Sequence, residues 1–197
     1  MKQSLPPSNE FCPQTLFVYG TTNSDGSPDF GLFCWVSYYW GENLGVMAAI
    51  CQDKRTRDNI RANGAFSMGL VTEELLPLAD YFGNKSGYEA DKLAIPIGVE
   101  TGRVLNVPVL EDCPWTFELE VGQTFQDGGV DVYLCKIRNV LADEALCEAS
   151  VPAEEKLKLI RPARTVGGTY FSWDGRALGN WGEPMRGLDS GLHHRNP

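Results

Sequence analysis

Lys54, Arg55, Thr56 and Arg57 put three cations and a hydroxyl into one turn of chain. They follow an apolar run, Leu44 to Cys51, and lead into Asp58-Asn59-Ile60, so the pattern reads as a strand handing over to a short helix. A helix start offers unpaired backbone N–H groups and the positive end of its macrodipole. With a hydroxyl and three positive side chains added, it becomes a receptor for a phosphate. The whole chain carries a formal charge of −9, so this local excess of positive charge asks for a cause. The competing reading is a solvated helix face whose cations pair with Asp53, Asp58 and neighbouring acids.

Other chemistries fall away. The two histidines, His193 and His194, stand at the far C-terminal end of the sequence, which disfavours Ser-His-Asp or Cys-His catalysis. The six cysteines form no C-x-x-C pair and there is no H-E-x-x-H, so a zinc site has little support. Neither G-x-G-x-x-G after a strand nor G-x-x-x-x-G-K-[ST] occurs, which excludes a Rossmann or P-loop device. Asp and Glu total 26, and no one pair stands out for acid–base work. An acidic chain of pI about 4.7 is a poor partner for nucleic acid, though one local basic pocket can still take a small anion. No run approaches the length of a membrane span, and Met1 to Asn9 lacks the apolar core of a secretory signal. The expectation is therefore a cytoplasmic protein with its cysteines as reduced thiols. What is left is a scaffold whose reactivity would belong to a bound cofactor.

The elements that must position such a site are mostly strands. Gln14 to Thr21 and Phe30 to Tyr39 flank the turn at Asn23-Ser24-Asp25-Gly26-Ser27-Pro28, and Leu44 to Cys51 is apolar enough to be central. Asp53 is the expected N-cap of a helix reaching about Ala62, stopped by Asn63-Gly64. Ala65 to Val71, Val104 to Leu110, Trp115 to Phe125 and Val130 to Val140 read as further strands. Glu73 to Tyr81 and Pro152 to Leu159 read as helices. Short strands between frequent turns favour a mainly β barrel or sandwich. The 197 residues divide into an arm at 1–12, one domain at 13–182 and a polar tail at 183–197.

Three segments carry a family resemblance. They are Gly20-Thr21-Thr22-Asn23-Ser24-Asp25-Gly26-Ser27-Pro28-Asp29 with Trp35 six residues on, the K-R-T-R-D-N-I run from Lys54, and the run from Ala79-Asp80-Tyr81-Phe82-Gly83 through Asp91-Lys92-Leu93. In this order the chain resembles the flavin reductase-like family of FMN-binding split barrels, in its flavoredoxin-type branch, from about Pro13 to Gly179. The resemblance implies an α+β, mainly β fold: an antiparallel Greek-key split barrel of six to seven strands with short flanking helices. It also implies FMN held non-covalently at a homodimer interface, with NAD(P)H as a transient electron donor and an acceptor the sequence does not name. Carried over by position, Thr56 would bond the FMN phosphate while Lys54 and Arg55 supply charge. Lys92 would reach the phosphate or the polar edge of the flavin. Gly31, Leu32, Phe33, Cys34 and Trp35 would line the ring, and Phe171, beside Tyr170, would close over it. No catalytic side chain and no metal are implied, since the flavin carries the chemistry.

The chain departs from the family pattern at named positions. Asp29 stands where an Asn is usual, Leu32 where a Thr is common, Phe33 where a small residue is common, and Asp53 where a Ser is usual. Asp53 would weaken phosphate binding unless Lys54, Arg55 or Arg57 offsets it. Two other readings stay open: a flavin carrier without NAD(P)H turnover, and a degenerate barrel that binds another ligand or a protein partner.

Overall fold

The computed structural model describes residues 2–88, 92 and 95–191; His193, His194 and the Glu89-Ala90-Asp91 and Leu93 part of the third motif lie outside the described residues. In chain order the strands are β1 (Gln14–Thr15), β2 (Phe17–Thr22), β3 (Pro28–Phe33), β4 (Val36–Trp40), β5 (Leu44–Cys51), β6 (Ala65–Leu70), β7 (Val99–Thr101), β8 (Pro108–Leu110), β9 (Trp115–Asp127), β10 (Val130–Ala142), β11 (Arg164–Val166), β12 (Thr169–Phe171) and β13 (Ala177–Asn180). The helices are α1 (Arg55–Asn63), α2 (Leu76–Asn84), α3 (Glu144–Cys147), α4 (Ala153–Ile160) and α5 (Arg186–Gly191). Among the described residues no helix is long and apolar enough to cross a membrane.

Seven strands pair in the order β3-β2-β6-β9-β10-β5-β4, all antiparallel. The two outermost strands, β3 and β4, are consecutive in the chain and separated only by Cys34 and Trp35. A two-residue link reaches a few ångströms, so the sheet must curl until its edges nearly meet. That is the expected split barrel. A second sheet, β1-β11-β12-β13, and the β7-β8 pair flank it.

Alternation along β2 divides the core. Phe17 and Tyr19 join Phe33, Val46, Ile50, Phe66, Met68, Leu119 and Tyr133 in one cluster. Leu16 and Val18 join Phe30, Leu32, Ala79, Phe82 and Tyr170 in the other, beneath α2. With both faces of β2 and β3 buried, the fit of particular side chains in the two clusters holds their register and so fixes what their ends present.

Several boundaries differ from the sequence reading for local reasons. The strand expected over Phe30 to Tyr39 is two strands, because the Val36 N–H turns back to the Cys34 carbonyl at 2.9 Å. The β5 run is second from an edge rather than central, and Leu44 and Met47 are exposed. Only Pro108–Leu110 of the expected Val104 to Leu110 strand forms, since the N–H groups of Arg103, Val104 and Leu105 all bond the buried Glu118 carboxylate. The second helix begins at Leu76 instead of Glu73. The segment read as a tail from residue 183 contains α5, which packs near α2.

Candidate functional site

At the start of α1 the expected cap is displaced by one residue. Lys54, not Asp53, holds the N-cap position in extended backbone, and no side chain caps the helix. Asp53 instead accepts from the Arg57 guanidinium at 2.9 Å, and Arg57 also donates to the Gly129 carbonyl at 3.0 Å. The acid that threatened an anion site is thus neutralised next door. At the other end Gly64 adopts φ 65° and donates to the Ile60 carbonyl, the expected stop.

Around this helix start lies a polar cavity of about 200 Å³, walled by α1, β3 and the loop after α2. Lys54, Arg55, Thr56, Asp29, Gly31, Leu32 and Lys92 all line it, so the structure gathers these sequence candidates in one place. Their partners differ. Arg55 donates to the Asn23 side chain at 2.8 Å and to the Gly87 carbonyl at 3.1 Å. The Thr56 hydroxyl donates to the Tyr19 phenol oxygen at 2.8 Å. Lys92, 7% exposed, donates to the carbonyls of Phe30 at 2.6 Å and Phe82 at 3.2 Å, and pairs with Asp29 at 3.5 Å. Lys54 alone of these cations has no side-chain hydrogen bond or ion pair among the described residues. Burial holds its amine below the ordinary lysine range, and the nearby Cys51 and Cys34 oppose that only in part.

Sequence reasoning had no means of finding Tyr19. Its ring crosses beneath β3 so closely that a Cβ on Gly31 would come within 2.7 Å of it. Burial pushes the phenol far above its ordinary range, so it stays protonated.

A second, more apolar cavity of about 320 Å³ shares Leu32, Gln52, Lys54 and Gly83 with the first. Phe33, Cys34, Trp35, Cys51, Tyr170 and Trp181 form much of its wall. Trp35 is 50% exposed and Trp181 59%, so both indoles stand at the mouth rather than in the core. Gln52, between the cavities, has φ 67°, a left-handed backbone that a non-glycine residue holds only under constraint. Phe171 is not on this wall; its neighbour Tyr170 is. The six cysteines are all free thiols, and burial pushes the Cys34 thiol up.

The A-D-Y-F-G motif builds this wall from behind. Asp80 is fully buried and accepts from the Tyr170 phenol at 2.8 Å, Asn84 at 2.9 Å, and the backbone N–H groups of Gly182 at 3.0 Å and Met185 at 3.1 Å. One carboxylate therefore ties β12 and the segment carrying Trp181 onto α2. Among the described residues no group of His, Cys, Asp or Glu could hold a metal ion.

The family model described as flavin reductase like domain matches residues 10–156. The chain belongs to that family. Among solved structures it is similar to the flavoredoxin of Desulfovibrio vulgaris (Miyazaki F), at 21% identity and TM-score 0.78, over 93% of this chain and 98% of that one. The flavoredoxin of Methanosarcina acetivorans matches at 20% identity and TM-score 0.77, over 95% and 100%. An FMN-binding protein from Thermus thermophilus with bound p-hydroxybenzaldehyde matches at 20% identity and TM-score 0.71, over 87% and 93%. At such identities these likenesses speak to the fold. No curated protein matches the chain. Family membership makes this a flavin-related oxidoreductase fold, with its two cavities at the barrel seam.

Proposed function

We propose that the chain binds FMN non-covalently and acts as an NAD(P)H-dependent flavin reductase or a flavoredoxin-like electron-transfer protein. The observation that carries this reading is Lys54, a part-buried cation without a partner among the described residues, on the wall common to a polar and an apolar cavity. A desolvated ammonium is unfavourable unless an anion joins it. A flavin mononucleotide has an anionic end for the polar cavity and a flat apolar end for the other, joined by a short polyol. In this placement Lys54 and the uncapped first turn of α1 hold the phosphate. Arg55 adds charge from its anchored position. Thr56 fixes the Tyr19 phenol, whose own hydrogen is then directed to the ligand. Leu32, Phe33, Cys34, Trp35 and Tyr170 enclose the ring and exclude water from one side. When bound, the flavin supplies hydride and single-electron transfer, and no side chain of the chain need act as acid or base.

A homodimer with the nicotinamide entering at the mouth fits the exposed apolar side chains of Trp35, Tyr38, Trp40, Leu44 and Met47 around β4 and β5. Free thiols throughout fit a reducing, cytoplasmic setting.

The test is titration of the purified protein with FMN, followed by flavin absorbance and fluorescence, then anaerobic addition of NADH or NADPH. Saturable FMN binding that Lys54→Ala weakens by about ten-fold or more is expected, since charge-assisted bonds are worth about 1.5–3 kcal/mol. Bleaching by a nicotinamide identifies the reductase; tight flavin without bleaching identifies the carrier. Absence of flavin binding would overturn the proposal.

A further inference from the structure

Asp29 is the residue in the polar cavity that a phosphate receptor does not call for. Its carboxylate is 4% exposed, and only one of its two oxygens is used. Oδ1 faces the Lys92 amine, while Oδ2 is buried without a hydrogen-bond partner. Oδ2 lies against the Gly87 backbone, where an added Cβ would meet it at 2.7 Å. Lys92 is not available to turn toward a ligand, because the Phe30 and Phe82 carbonyls and Asp29 hold its amine. Its charge therefore balances Asp29 and not an incoming anion.

An ionised carboxylate can only accept hydrogen bonds, and so can a phosphate dianion. Two acceptors brought together in a buried cavity repel unless a proton lies between them. We propose, building on the flavin reading, that Asp29 is a specificity-determining residue that makes the site take the phosphate monoester in its singly protonated form. The bound state then holds one hydrogen between a phosphate oxygen and the Asp29 carboxylate, which lines the cavity. Starting from dianionic FMN, the balance is one proton taken from solvent for each FMN bound and none released. A neutral tail such as that of riboflavin brings its own hydroxyl hydrogen and takes up no proton.

The charges around Asp29 suit this. The Lys92 amine pairs with it, the Arg55 guanidinium of α1 lies nearby, and the Tyr19 phenol of β2 stays protonated. Lys54 and Lys85 add positive charge to the cavity wall, and Asp53 is turned to Arg57. Burial raises the Asp29 carboxyl above its ordinary range despite Lys92, and a phosphate monoester gives up its second proton near pH 6. The shared proton thus sits between two groups of which neither holds it strongly alone.

The experiment is calorimetric titration of the wild-type chain with FMN and with riboflavin at pH 6, 7 and 8, in buffers of different ionisation enthalpy. The expected result at pH 8 is uptake of about one proton per FMN, an affinity falling about ten-fold per pH unit above the phosphate's second ionisation, and no such slope for riboflavin. Asp29→Asn, whose amide can donate directly, should bind FMN without the slope and about ten-fold more tightly at pH 8. A slope arising from Lys54 would survive in Asp29→Asn, and that result overturns the inference. FMN binding to the wild type with no proton uptake also overturns it, and needs no variant. Failure of both flavins to bind would instead remove the cofactor reading on which it rests.

Discussion

The Tyr170 phenol donates to Oδ1 of Asp80 at 2.8 Å across ninety residues of sequence. That bond joins the wall of the apolar cavity to the helix that carries the longest family motif. Asp80 also holds Gly182 and Met185, so the position of Trp181 depends on the same carboxylate.

Asp80→Ala should lower unfolding stability by about 3 kcal/mol, because buried donors lose their acceptor. Tyr170→Phe should cost about 1 kcal/mol, since the other donors still reach Asp80. Urea unfolding of both variants measures this, and equal losses would show that the C-terminal segment is not held through Asp80.

The Asp29–Lys92 pair is buried, so removing one partner leaves an unmatched charge. Lys92→Ala is expected to destabilise the chain by about 3–5 kcal/mol. Combining it with Asp29→Asn should recover part of that loss, a coupling that a double-mutant cycle reads directly. Additive losses would mean the two groups do not interact in solution.

Arg61 reaches Asp131 through two hydrogen bonds of 2.5 and 2.7 Å, and this pairing holds the Asp131 carboxyl down at about 2. A carboxyl with a folded pKa below its unfolded one contributes stability that is complete above about pH 4 and disappears as pH falls toward 2. Acid titration of the wild type by circular dichroism should show that loss. Asp131→Asn should be less stable near neutrality and flatter across the same window.

Trp35 and Trp181 line the mouth of the apolar cavity, whereas Trp40 borders neither cavity. FMN should therefore quench the intrinsic fluorescence, and Trp35→Phe and Trp181→Phe should each remove part of the quenched signal. Trp40→Phe should lower the emission without changing the quenched amount. Quenching carried by Trp40 would place the flavin elsewhere.

The handover from β5 to α1 is legible in the sequence because its signals are local: an apolar run, a cluster of cations and a glycine stop. Alternation and turn residues lead in the same way to a mainly β barrel or sandwich, and the choice of the split barrel comes from the family resemblance. The commitments of individual cations are not legible. Arg57 looks like a ligand residue until the Gly129 carbonyl, 72 positions away, claims it. Lys92 reads as a flavin ligand until two carbonyls and Asp29 are seen to hold its amine. Tyr19 carries no polar neighbour in sequence that announces its bond to Thr56. The Tyr170-Phe171 pair shows how fine the margin is, because the β12–β13 register shifts between those two residues. One step of register exchanges which ring faces the cavity, and nothing in the local sequence sets it.

The two-residue link between the outermost strands has a kinetic consequence. A guest in the apolar cavity rests on Cys34 and Trp35 on one side and on Cys51 on the other, so it fastens the slit in the cylinder like a pin through a hasp. Its escape and the parting of the lips are then one motion. Residence time and amide protection along β4 should rise and fall together.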